Sequence, residues 1–229
     1  MNSQSQYNYL DIASHTGLKN LTRSPRALWL LPFALALFWL GTYLLMPSGP
    51  LDLSQGNNLR KARVLAHWAE GDLVVLVRHA ERCDHSTNPC LGPRDGITRK
   101  GQLVAQGLGD SFRALGLNHT DIFNSPLQRT AQTASFAFKG ASIDQAWLAN
   151  CRHSLLDDVQ QRKVDQRNMV LITHSECFDQ LEKSLKVSAR TVPDYGSALF
   201  VAIDRQHNSA RVLGFLDAQD WKSVMPQHP

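Results

Sequence analysis

The chain has 229 residues, 43% of them hydrophobic and 19% charged, which suits one globular domain plus an appendage. No internal repeat or long low-complexity block is present, and this excludes solenoids and disordered arrays. Half of the formal net charge of +4 lies in the N-terminal tail, where Lys19, Arg23 and Arg26 meet only Asp11, so the basic balance is no argument for nucleic acid as a partner.

Ala27 to Met46, "ALWLLPFALALFWLGTYLLM", carries no charge. At about 1.5 Å per residue such a helix reaches roughly 30 Å, the thickness of a bilayer's hydrocarbon layer. Pro32 is tolerable there, and Trp29, Trp39 and Tyr43 suit the interfaces. The basic tail places the N-terminus in the cytoplasm and the rest outside. The run is long for a signal-peptide core, and "MPSGP" lacks a small-x-small cleavage site, which favours an uncleaved signal anchor. The expected organisation is a cytoplasmic tail over 1–26, a transmembrane anchor over 27–46, a linker and helix over 47–71, and an exported domain over 72–229.

Four cysteines, Cys83, Cys90, Cys151 and Cys177, outside the cytoplasm suggest two disulfides, with three possible connectivities. Cys83 and Cys90 flank a short loop containing Pro89 and form the natural pair, which leaves Cys151 for Cys177. A metal site is the rival reading, but the spacings match no zinc pattern.

A helix is expected from Asn58 to Ala69, with Leu59, Ala62, Leu65, Ala66 and Ala69 on one face. Leu73 to Val77 is a continuous apolar run, suited to a strand covered on both faces. A polar loop follows to Ile97, then Thr98 as N-cap of a helix over Arg99 to Leu115. Asp121 to Asn124 reads as a short strand, and Pro126 opens a helix to Phe138. Asn168 to Thr173, "NMVLIT", is a second buried strand, followed by a helix over Phe178 to Lys186. Ser197 to Ile203 and Arg211 to Phe215 read as a hairpin joined by "DRQHNSA". The alternation implies an α/β domain with a mainly parallel sheet, helices on both faces and an antiparallel C-terminal edge.

Parallel strands place their carboxyl ends on one edge, where sites form. Three such ends carry polar residues: Arg78, His79, Glu81 and Arg82 after the first; Ser125 and Arg129 after the second; His174 and Ser175 after the third. Arginine forks match phosphate oxygens. A neutral histidine among them can attack phosphorus and form a phosphohistidine. A second histidine can stabilise the transferring group, and the leaving alkoxide needs an acid. His67, His85, His119, His153, His207 and His228 lack this context and read as solvated.

These residues resemble the histidine phosphatase superfamily, which includes phosphoglycerate mutases and histidine acid phosphatases. Arg78-His79-Ala80 is similar to its Arg-His-Gly signature, Arg82 fits the extra arginine of the acid phosphatase branch, and "SPLQRTAQTA" and "LITHS" resemble its second-arginine and second-histidine motifs. "RHAERCD…C" followed by "DGIT" resembles, more narrowly, the periplasmic lipopolysaccharide core heptose(II)-phosphate phosphatases of Gram-negative bacteria, which also carry cysteines like Cys151 and Cys177. The resemblance implies a three-layer phosphoglycerate-mutase-like fold and a metal-independent, cofactor-free phosphatase. It supports the pairing of Cys151 with Cys177. It also implies a phosphorylated glycan or small phosphoester as substrate, namely a phosphosugar (heptose phosphate) of the lipopolysaccharide core. It supports export, which with the uncharged run and basic tail gives a periplasmic domain on a single-pass inner-membrane anchor. Carried onto this chain, it makes His79 the nucleophile, Arg78, Arg82, Arg129 and His174 the phosphate pocket, and Glu81 the first candidate acid, with Glu176 and Asp84 behind it. Ala80 replaces the usual glycine, and Ser175 stands where the acid phosphatase branch has its aspartate. Other phosphoryl transfer, by a phosphoprotein phosphatase or a mutase, and a non-catalytic module that binds phosphorylated glycans are the alternatives. Oligomeric state is not legible.

Overall fold

The computed structural model describes residues 32, 34–39, 41, 49–151, 155–188 and 192–224. The chain divides into two units, Met1–Met46 and Pro47–Pro229. In the first, residues 32, 34–39 and 41 are helical. Most of the expected 27–46 span lies outside the described residues, and among those described no helix is long and apolar enough to cross a membrane.

The second unit is built on a six-stranded mixed sheet. Its strands are β1 (Leu73–Arg78), β2 (Thr120–Asn124), β3 (Ile143–Asp144), β4 (Asn168–Thr173), β5 (Ala198–Asp204) and β6 (Ser209–Leu216), in the order β3-β2-β4-β1-β5-β6. β1, β2, β3 and β4 pair in parallel, whereas β5 runs antiparallel to β1 and to β6. The expected antiparallel C-terminal edge is therefore present, and it lies directly against the central strand.

Why β1 must be central follows from its side chains. Leu73, Val75 and Val77 join one apolar core with Val170, Ile172 and Phe200. Val74 and Leu76 point the other way and join a second core with Met169, Leu171 and Val201. A strand's period of two sends alternate residues to opposite faces, so a continuous apolar run is stable only between two covered faces. Helices α3 (Arg99–Leu115) and α4 (Gln128–Phe138) supply residues to the first core, and α5 (Leu155–Arg162) and α6 (Ser175–Ser184) to the second. The result is three layers.

Several boundaries differ from expectation. The helix expected over Asn58 to Ala69 is two helices, α1 (Asn58–Lys61) and α2 (Val64–Glu70), because Arg63 adopts a left-handed conformation with φ 54°. The break lets Val64 and Trp68 face the core, and Trp68 Nε1 donates to Leu115 O at 2.9 Å. The segment expected to be a plain linker packs on the sheet edge: Leu53 N donates to Phe215 O, Phe215 N donates to Leu51 O, and Leu53 is buried. Helix α6 starts at Ser175, not Phe178, since the chain turns into it directly after β4. The eight-residue α5 was not expected; Leu155 and Val159 are its buried anchors, too few for a periodic signal. A last short helix, α7 (Trp221–Val224), seats Trp221 against Phe112 and Phe200.

Cys83 pairs with Cys90, and Cys151 with Cys177, at Cα separations of 5.5 and 5.4 Å, ordinary for disulfides. His67 is not solvated as expected. Its side chain is 14% exposed, with Nδ1 2.8 Å from Asp72 Oδ2. His153 and His228 lie outside the described residues.

Candidate active site

The C-terminal ends of β1, β2 and β4 do meet on one edge. His79 N donates to Thr173 O at 2.9 Å, and Ser125 N donates to Ile172 O at 3.0 Å. Each ladder therefore runs one residue past its strand before the chain turns away. Those extra residues deliver His79 and Ser125 beside His174, which follows β4 directly.

His79 is 3% exposed. Its Nδ1 lies 2.8 Å from the carbonyl oxygen of Ala80. A carbonyl only accepts, so Nδ1 carries the proton and Nε2 presents a lone pair. Arg129 Nε, which can only donate, lies 3.2 Å from that Nε2 and agrees with this tautomer. Burial pushes the imidazolium pKa down to about 3; the Ala80 bond opposes the shift, and His174, Arg129 and Arg78 add to it. His174 lies 5.5 Å away between ring centroids, and its Nε2 is 3.1 Å from Ser125 Oγ. Burial first, then Arg129, lowers its pKa to about 4 against the opposing charge of Glu176. Helix α6 begins immediately after His174, which places a positive dipole end beside that ring. Both imidazoles are neutral at pH 7. Among the described residues, Arg78 Nε and His174 Nδ1 are buried without a hydrogen-bond partner.

The helix carrying Arg129 is keyed to the nucleophile's own backbone. Ala80 N donates to Thr133 Oγ1 at 3.0 Å, and Thr133 Oγ1 donates to Arg129 O at 2.7 Å. Thr130 Oγ1 lies 2.7 Å from Ser125 O. The spacing in "SPLQRTAQT" is thus a set of struts. The methyl that distinguishes Ala80 from glycine packs with Ile97 and Ala105. Gly101 makes room for it: a Cβ at Gly101 would lie 3.3 Å from Ala80 Cβ and 3.0 Å from Glu81 N.

The candidate acids are used differently. Glu81 Oε2 accepts from Thr98 Oγ1 at 2.6 Å and Asn88 Nδ2 at 2.9 Å. Burial raises its pKa, but those bonds outweigh it and hold the carboxylate below its usual range. Glu81 is thereby engaged in tying the loop to the α3 N-cap, and among the described residues it makes no hydrogen bond to either histidine. Asp84 forms a fork with Arg82, with Nε–Oδ1 at 2.6 Å and Nη2–Oδ2 at 2.5 Å. That bond chiefly raises the pKa of Arg82, whose charge still reaches Arg129 and His174. Glu176, exposed on the first turn of α6, lines a cavity of about 100 Å³ with Arg129, His174 and Cys151. A larger cavity, about 550 Å³ and lined by His67, Asp72, Lys163 and Arg205, opens at the opposite edge of the sheet, away from these groups.

A family model described as histidine phosphatase superfamily (branch 1) matches residues 74–152, a stretch that includes Arg78, His79 and Arg129. A protein from Escherichia coli O1:K1 / APEC named lipopolysaccharide core heptose(II)-phosphate phosphatase is 39% identical over 137 residues, 58% of this chain and 67% of the relative. The chain belongs to the histidine phosphatase superfamily. Among solved structures, a phosphoglycerate mutase from Bacillus anthracis str. Sterne is similar at a TM-score of 0.48 and 13% identity, covering 68% of this chain and 98% of that one. This histidine phosphatase is a phosphatase enzyme, as its phosphatase-named relatives support.

One residue of the site was not expected. Tyr195 sits with its ring centroid 5.6 Å from that of His79, and Arg78 Cζ lies 4.1 Å above its ring. The available signal was topological. The strand after Tyr195 runs antiparallel to β1, so its beginning adjoins the end of β1, and Arg78 N donates to Ser197 O at 2.9 Å.

Proposed function

We propose that this phosphatase hydrolyses a phosphomonoester through a phosphohistidine at His79. The observation carrying the proposal is the state of Nε2, an unprotonated nitrogen whose tautomer is held by the Ala80 carbonyl and whose immediate neighbour is a guanidinium. A phosphate entering the site takes over the Arg129 N–H now donated to Nε2. Arg78 and Arg82 contribute further positive charge, and neutral His174 supplies a donor to an equatorial oxygen. The Nε2 lone pair attacks phosphorus in line. An N–P bond forms as the P–O bond breaks, and the departing alkoxide takes a proton from a carboxylic acid. Water then attacks the phosphohistidine, releasing phosphate and restoring Nε2.

We assign the acid to Glu176 in preference to Glu81 or Asp84. Glu176 shares a cavity with Arg129 and His174, whereas the other two carboxylates are committed to Thr98 with Asn88 and to Arg82. Burial raises the pKa of Glu176, but its own backbone N–H, His174, Ser175 and Arg129 hold it below the usual range in the free protein. An incoming phosphate dianion beside it shifts it back toward the protonated form.

The substrate we infer is a phosphosugar of the lipopolysaccharide core, on the strength of the name of a relative 39% identical. The location we infer is periplasmic, on an inner-membrane anchor over 27–46. The uncharged run, the basic tail and the two cysteine pairs support it. The test is His79→Ala in the full chain. It should end phosphate release while the far-ultraviolet circular dichroism stays unchanged; retained turnover overturns the mechanism. Comparing core phosphorylation in cells with wild-type and His79→Ala protein tests the substrate.

A further inference from the structure

The segment Pro193 to Ser197 grips Arg78 from three directions. Pro193 O accepts from Arg78 Nη1 in the guanidinium plane. The Tyr195 ring lies under the guanidinium face, 4.1 Å from Cζ to the ring centroid. Gly196 N donates to Arg78 O at 3.1 Å, and Ser197 O accepts from Arg78 N at 2.9 Å. The turn that achieves this needs glycine. Gly196 has φ +78°, and a Cβ there would meet Val104 Cγ1 at 2.7 Å and Ala218 Cβ at 3.0 Å. Tyr195 is therefore aimed by a backbone that has one arrangement available.

A guanidinium held by a carbonyl in its plane and a π face beneath it has lost its rotational freedom. What remains is an edge, and Arg78 Nε on that edge is buried with no hydrogen-bond partner among the described residues. Burial lowers the pKa of Arg78. The same ring lies against His79 at a 43° tilt. One aromatic side chain thus contacts both the nucleophile and an arginine beside it.

We propose that Tyr195 is a positioning residue of this phosphatase: its ring holds Arg78 so that the Nε edge faces the phosphoryl group. This rests on the reading of His79 and Arg78 given above. Cation–π contact contributes about 0.5 to 2 kcal/mol depending on desolvation, which corresponds to roughly a 2- to 30-fold effect on phosphate binding.

The experiment uses the full chain, p-nitrophenyl phosphate as substrate and orthovanadate as a competitive phosphate mimic. Tyr195→Leu removes the π face, and Tyr195→Met is a second non-aromatic variant in case the first fails to fold. Both should raise KM and the vanadate Ki about tenfold with a smaller change in kcat. Tyr195→Phe, which restores the ring, should recover most of the loss. In an Arg78→Ala background the Tyr195→Leu penalty should vanish, which a general packing defect does not predict. Unchanged Ki in both non-aromatic variants, or an undiminished penalty without Arg78, overturns the proposal. His79→Ala run alongside separates the two readings. Turnover in that variant defeats the site assignment, while a dead His79→Ala with indifferent Tyr195 variants defeats only the role of Tyr195.

Discussion

The neutrality of His79 has a cost that should be measurable as acid sensitivity. Its ordinary pKa of 6.5 falls to about 3 in the folded protein, so between these values the unfolded chain binds a proton that the native state refuses. Stability rises with pH wherever the unfolded state binds more protons. The sign is thus fixed: the contribution is complete above about pH 6.5 and is lost as pH falls toward 3. The loss approaches about 1.4 kcal/mol per pH unit below 6.5. From pH 7 to 4.5 it amounts to about 2.5 kcal/mol for His79, which at 3% exposure is little screened by water. The perturbation that isolates it is His79→Asn, whose amide can still donate to the Ala80 carbonyl and does not titrate. Urea unfolding of both proteins at pH 7 and 4.5 reads the difference. Wild type should lose about 2.5 kcal/mol more than the variant over this interval. Equal losses, within about 0.5 kcal/mol, refute the reasoning, because they require His79 to titrate in the folded protein as it does unfolded.

Two further predictions concern the acid and the helix packing. Glu81→Gln should cost about 1 kcal/mol of stability in urea, by weakening the bonds from Thr98 and Asn88, and should leave turnover within a few-fold of wild type. Glu176→Gln should lower kcat about 100-fold on an alkyl phosphate, and less on p-nitrophenyl phosphate, whose leaving group needs little protonation; the reverse pattern would reinstate Glu81 as the donor. Gly109→Ala should lower stability by about 2 kcal/mol or more, since its Cβ would lie 2.0 Å from Ala137 O where α3 crosses α4. Gly107→Ala on the same helix meets nothing within 4 Å and should stabilise by up to about 1 kcal/mol. Thermal melts showing both changes with the same sign would contradict this account of the contact.

Much of the framework was legible because it depends on local chemistry. "LVVLV" and "NMVLIT" are apolar without alternation, and only a strand between two covered faces satisfies them. Thr98 reads as an N-cap because its side chain can accept from the amide three residues on, and it does so from Gly101 N at 2.9 Å. Positively charged and imidazole side chains at the ends of parallel strands must share an edge, and so the sequence alone groups Arg78, His79, Arg129 and His174.

What sequence alone left open were choices among partners that depend on how the tertiary structure brings distant residues together. Glu81 stands two residues from His79 and is the first candidate acid by sequence; the hydrogen bonds of its carboxylate to Thr98 and Asn88 depend on how the loop after β1 folds. Glu176, further along the chain, reaches the site because α6 starts at Ser175. Tyr195 carried no motif, and only the antiparallel pairing of β5 with β1 brings it beneath Arg78. Periodicity, caps and turn residues act within a few positions of the chain and are written in it. Which carboxylate shares a cavity with an imidazole, and which ring meets a guanidinium, depends on how strands far apart in sequence are brought together, and that arrangement emerges only when the whole sheet is packed.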